Sequence, residues 1–166
     1  YNIFFNERED FAKKSAQLLA PYFFASTFLF LLLAIFSEEM IYFLTTPEFH
    51  DSVPIVLILS MIYLSHFFGK QPQLLLAKKT GIISIISFFS LALNIILNIP
   101  LINYYGINGA AWATFFTGII SGLLSFFYSQ KHMPINYLKE TLFFYLLFQF
   151  SIFSILLFWF IETPYT

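Results

Sequence analysis

The stretch that decides the fold is residues 81–128, GIISIISFFSLALNIILNIPLINYYGINGAAWATFFTGIISGLLSFFY. It holds no Asp, Glu, Lys, Arg or His. A bilayer core is about 30 Å thick, so a spanning helix needs roughly 20 mostly apolar residues. Two such helices fit here, at 81–102 and 109–128, with a short uncharged turn at 103–108 between them. Neither alternates apolar and polar residues with period two, so a transmembrane barrel is not indicated.

The rest of the chain repeats the pattern. A charge-free span covers 18–36 and stops at Ser37-Glu38-Glu39; another covers 141–161, with Trp159 near its end. A further span starts at Val53-Pro54, where proline suits a first helical turn, and is apolar only to Phe68. Sixteen residues rise about 24 Å, short of the core, whereas a helix kinked near Pro72 and running over 53–77 reaches about 37 Å. The predicted fold is all-α: a polytopic transmembrane helical bundle of five spans, 18–36, 53–77, 81–102, 109–128 and 141–161. Residues 1–17 read as a cytoplasmic linker or amphipathic lead-in, and 162–166 as an external tail.

Composition agrees. Apolar residues make up 59% of the chain and charged residues 10%, too few charges to cover a soluble surface. The same figures exclude disorder. With 8 basic and 9 acidic residues there is no basic field for nucleic acid, so no nucleic-acid partner is expected. With no cysteine there is no disulfide framework or thiolate metal site. The chain opens at Tyr1 without an initiator Met or a signal-peptide pattern, and a fragment of a longer protein is expected.

The charges between spans alternate by side. Arg8, Lys13 and Lys14 precede the first span, Lys78 and Lys79 follow the second, and Lys131 and Lys139 follow the fourth. The intervening segments carry Glu38, Glu39, Glu48 and Asp51, then no charge at 103–108, then Glu162 alone. The positive-inside bias therefore places the N-terminus in the cytoplasm and the last residues outside. Tyr22, Tyr42, Tyr104, Tyr105, Trp112, Tyr128, Tyr137 and Trp159 fall near span ends, where such rings anchor helices at the headgroups.

Polar residues at bilayer depth ask for a reason. Tyr63, His66, Lys70 and Gln73 share one face of the second helix. They either line a cavity for a polar, anionic cargo or, if the helix ends near Phe68, leave Lys70 as a cytoplasmic flank or a snorkelling side chain. Asn94 and Asn98, one turn apart, join Ser84, Ser87 and Ser90 on the third helix; they serve as interhelical hydrogen-bonding groups or as substrate contacts. On the fourth helix Gly109 opens a small-residue face of Ala110, Thr114, Gly118 and Gly122, with Thr117, Ser121, Ser125 and Ser129 beside it, a pattern for close helix packing. Gln149, with Ser151 and Ser154, is mid-span in the fifth helix as packing group or lining. No Walker A loop, HExxH pair or GxSxG elbow is present, and His50, His66 and His132 are scattered. No enzymatic activity, cofactor or metal is expected.

The segment 94–128 resembles a known family. Leu-Asn-x-x-x-Asn-x-Pro at Leu93 to Pro100, the turn Tyr104-Tyr105-Gly106-Ile107, and Gly109-Ala110-Ala111-x-Ala113-Thr114 together are similar to the C-terminal half of bacterial polysaccharide-type flippases. Their superfamily also holds lipid II flippases and multidrug and toxin extruders. The likeness extends over about 18–140. It implies a transporter of twelve to fourteen helices in two bundles, of which this chain supplies part, with the N-terminal half and a closing helix missing. It also implies translocation of an undecaprenyl-pyrophosphate-linked oligosaccharide across the bacterial inner membrane by alternating access, for surface polysaccharide assembly. The partners would be the lipid bilayer, the lipid-linked oligosaccharide and the other half of the transporter. A multidrug extruder and a lipid II flippase are the near alternatives. From another class, a non-transporting membrane subunit or a multispan glycosyltransferase piece stands open; only Glu38 and Glu39 would suit the latter.

Overall fold

A computed structural model describes residues 14, 17–62, 73–135, 143–145, 147, 148, 151, 152, 154 and 155. The lead-in 1–17 apart from 14 and 17, the middle of the second predicted span at 63–72, most of the fifth span and the tail lie outside the described residues. The structure is all-helical, with no strand among the described residues. It divides into two compact units, 1–24 with 135–166, and 25–134. In the first, Phe23 is buried and stacks on Tyr145 with ring centroids 5.2 Å apart and planes 7° from parallel.

Helix α1, Leu19–Ile35, has no charge and is apolar around its whole circumference. Its buried residues Phe23, Ser26, Thr27, Phe30 and Ala34 recur every three or four positions and so form one stripe, while Phe24, Phe28 and Ile35 are exposed. At Phe36 (φ −96°, ψ 12°) the backbone leaves the helical region, and the chain bends by 60°. Buried Ser37 donates its hydroxyl to the Ala34 carbonyl at 3.0 Å across the bend.

Residues 37–52, read from sequence as a loop, are ordered. Helix α2 runs Ser37–Leu44 and a 3-10 helix runs Pro47–Ser52. The two glutamates that suggested a terminator, Glu38 and Glu39, occupy the first turn of α2, where the unpaired N–H groups favour negative charge. Thr45 closes α2 with backbone and hydroxyl donations to the Ile41 carbonyl, at 3.0 and 2.7 Å. The rings of Tyr42 and His50 meet at 4.0 Å.

Helix α3, Val53–Ser60, carries Pro54 in its first turn as the sequence suggested. Helix α4 is a single turn, Gln73–Leu76. It ends in a Schellman closure: Lys79 N–H donates to the Leu74 carbonyl at 2.8 Å, Lys78 N–H to the Leu75 carbonyl at 3.0 Å, and Lys78 is left-handed at φ 57°. That position usually belongs to glycine; a lysine there costs about 1–2 kcal/mol.

The next element, α5, runs Thr80–His132 over 53 residues and holds 81–128. It is two helices. Gly106 sits at φ 58°, ψ −140°, a conformation that only glycine adopts without strain. A Cβ on Gly109 would fall on the Leu101 backbone carbonyl, an approach impossible for residues eight apart in a straight helix. Ile83 and Ser125 border one cleft, although a straight helix would separate them by about 63 Å. The chain therefore reverses at Gly106, and arms 80–105 and 107–132, each about 39 Å long, lie side by side. The link expected at 103–108 is taken up by helix except at Gly106, and Pro100 lies inside the first arm. Both α3 and α4 pack against α5.

Among the described residues, α5 is the element long and apolar enough to cross a membrane, and none of its most apolar window is buried within the protein. Residues Pro21–Ile35 with Ser37–Leu44 meet that test only as a bent pair.

Candidate functional site

The arms of α5 enclose a cleft of about 310 Å³ lined by Ile83, Ile86, Ser87 and Ser90 from the first arm and Gly118, Ser121, Gly122 and Ser125 from the second. The sequence explains its mixed lining of isoleucine, glycine and serine. Glycine and serine every third or fourth residue on both arms let the backbones approach and place hydroxyls along the join. Ser121 donates to the carbonyls of Thr117 (2.7 Å) and Gly118 (3.2 Å), so its hydroxyl is satisfied within its own helix. Ser84 and Thr114 do the same toward Thr80 (3.2 Å) and Ala110 (3.0 Å). This back-bonding is how a hydroxyl is carried in an apolar setting without a partner helix.

The residues singled out for packing are spread unevenly. Gly109 is buried at the reversal, where no larger residue fits. Gly122 is buried in the seam, Ala110 is half-buried and Thr114 is exposed. Around Gly118 a Cβ would meet nothing within 4 Å, because the cleft opens there.

Of the candidate cargo residues, Asn94 and Asn98 are half-buried and bonded to each other, Asn98 Nδ2 donating to Asn94 Oδ1 at 2.8 Å. One bond within the pair leaves further donor and acceptor capacity on each amide. Neither lines the cleft. Gln73 is fully buried, at 0% exposure, and neither Nε2 nor Oε1 has a hydrogen-bond partner. An unpaired buried amide of this kind costs about 1–3 kcal/mol. His66, Lys70 and Gln149 lie outside the described residues. The structure thus brings the two asparagines together and leaves Gln73 apart from the cleft.

What sequence reading missed is the cleft itself. The serine stripes were visible on each helix, but their facing each other depends on the reversal at one glycine. Two other buried hydroxyls of the second arm, on Thr117 and Ser129, are without a hydrogen-bond partner. At the reversal, Tyr104 and Tyr105 are exposed, at 82% and 65%. At the opposite end Lys78, Lys79 and Lys131 are exposed, and His132 Nδ1 lies 2.9 Å from the Tyr128 carbonyl. Among the described residues no three of His, Cys, Asp and Glu converge where a metal ion could be held. The arrangement is a helical hairpin with an uncharged turn at one end, cations at the other and hydroxyls between. The chain matches no family model, no curated protein and no solved structure.

Proposed function

We propose that this chain is part of a polytopic membrane transporter of the polysaccharide-flippase kind, moving an undecaprenyl-pyrophosphate-linked oligosaccharide from the cytoplasmic to the outer leaflet of a bacterial inner membrane. The observation that carries this reading is the α5 hairpin: two arms without charge before Lys131, with Lys78, Lys79 and Lys131 at one end and the uncharged turn that carries Tyr104 and Tyr105 at the other. Such a polarity suits an element with its Lys78, Lys79 and Lys131 end in the cytoplasm and its Tyr104-Tyr105 turn outside.

In this reading the chain contributes five spans, its N-terminus is cytoplasmic, and a second helical half completes the cavity. The two halves rock about a site near the bilayer midplane. Lys70 supplies the cation that faces the pyrophosphate, with His66 and Gln73 on the same helical face. Asn94, Asn98 and Gln149 offer amides to sugar hydroxyls. The arm seam, with Gly118 and Gly122, lets the bundle change shape with little steric cost, because small residues tolerate sliding.

The test is complementation. The complete gene carrying this sequence is expressed in a host deleted for its own flippase, and surface polysaccharide is measured at matched protein levels. Lys70→Ala abolishes polysaccharide and Lys70→Arg retains it. Full activity in both variants returns Lys70 to a cytoplasmic flank. Failure of the unmodified gene across several matched hosts overturns the flippase reading in favour of an extruder.

A further inference from the structure

Two unfavourable features lie five residues apart in the segment that leads into the hairpin. Gln73 is shut off from solvent with both amide atoms unpaired. Lys78 holds the left-handed backbone of a helix terminus at φ 57°, where a side chain crowds the following carbonyl. Each is a cost that this conformation carries and another need not.

They are mechanically linked. The Schellman bonds from Lys79 to Leu74 and from Lys78 to Leu75 hold α4 against the start of the hairpin, and they exist only while residue 78 stays left-handed. If residue 78 relaxes to the ordinary region, both bonds are lost, and α4, a turn of four residues, is held chiefly by its packing against α5. Gln73 is the first residue of that turn and leaves its enclosed position with it. The two costs are relieved in one movement, which offsets part of what the two bonds and the burial of Leu74 contribute to the closed state. The movement is also at the wet end: Lys78, Lys79 and Lys131 are exposed there, so water is at hand for a released amide.

We propose that residues 73–79 form a hinge at the basic end of the hairpin, closed in this structure, whose opening brings the Gln73 side-chain amide into contact with water. The proposal goes beyond the cargo reading and does not need it. A transporter of any substrate with a moving second helix could use such a hinge, and the measurement below needs no cargo.

The chain has no cysteine, so one introduced thiol is the sole reactive one. Three single variants of the full chain in open membrane vesicles are treated with a small water-soluble maleimide: Gln73→Cys, the exposed Thr80→Cys, and Ala113→Cys at 0% exposure. The thiol of Gln73→Cys reacts at a rate between the other two and at least about tenfold faster than that of Ala113→Cys. Adding Lys78→Gly, which relieves the left-handed strain and so favours the closed state, slows that labelling several-fold. Lys78→Gln, which removes the same charge without that relief, does not slow it. A Gln73→Cys thiol as inert as that of Ala113→Cys, or one indifferent to Lys78→Gly, overturns the hinge. A second readout keeps the amide itself in question: Gln73→Leu, close in size and without polar atoms, raises the melting temperature of the intact chain, and a lowered one means that the amide has a partner and the proposal fails.

Discussion

The two arms of α5 are matched in length and both lack charge until the last turn of the second, yet they sit in the protein differently. Every buried residue of α5 belongs to the second arm: Gly109, Ala111, Ala113, Phe115, Thr117, Gly122 and Ser129. The first arm presents Ile85, Phe88, Leu91, Ile95, Ile96 and Ile99 outward, Phe88 at 74% exposure. Apolarity is common to both, so it does not decide which is enclosed. Side-chain size does. Glycine, alanine and threonine allow neighbouring backbone to close around the second arm, whereas the isoleucines and phenylalanines of the first stand off and need hydrocarbon or another protein surface around them.

A charge on the outward face of the first arm tests this difference most severely. Phe88→Lys costs about 2.5–3.5 kcal/mol of insertion if that face meets the bilayer centre. A glycosylation-tagged insertion assay reads it directly, and the same change at Tyr105, on the exposed reversal, is nearly silent. Equal tolerance at both positions would remove lipid from the first arm.

The next test is one substitution with opposite signs along the second arm. Gly109→Ala drives a Cβ into the Leu101 backbone, which has nowhere to move, and destabilises the hairpin by about 1–3 kcal/mol. Gly118→Ala projects into the cleft, meets nothing within 4 Å and stabilises by about 0.5–1 kcal/mol through helix propensity. Thermal melts of both variants in one detergent check the ranking. A loss at Gly118 would mean that the seam is closed there in solution.

The smallest expected effect is at the asparagines. Asn98→Leu removes the 2.8 Å bond to Asn94 and costs about 0.6 kcal/mol, the typical worth of one hydrogen bond between polar side chains in a membrane. A melt that falls by several times that amount, or transport lost with the melt unchanged, would make the pair more than an internal contact.

Much of this was legible in the residues. The absence of charge over 81–128 marked two helices, because an uncharged apolar run of that length has few other stable forms, and Tyr104-Tyr105-Gly106 marked the reversal between them. Pro54 marked a helix start for the reason that its ring suits a first turn. Other features were hidden. Glu38 and Glu39 read as a stop, although a carboxylate pair serves a helix N-terminus equally well, and only the 60° bend at Phe36 shows which use applies. Lys78 gave no sign of a left-handed backbone, since lysine is a poor choice for it.

Composition and spacing, which act locally, were enough for the helices, for the long apolar stretches and for the lysines beside one end of 81–128. Packing settled that the serines of the two arms face one another across a cleft and that Gln73 is enclosed without a partner. The facing of the serines depends on where the chain reverses, which the backbone conformation of Gly106 fixes and to which the identities of residues 87 and 125 contribute nothing, whereas the bond between Asn94 and Asn98 needs only their spacing of one turn on one helix.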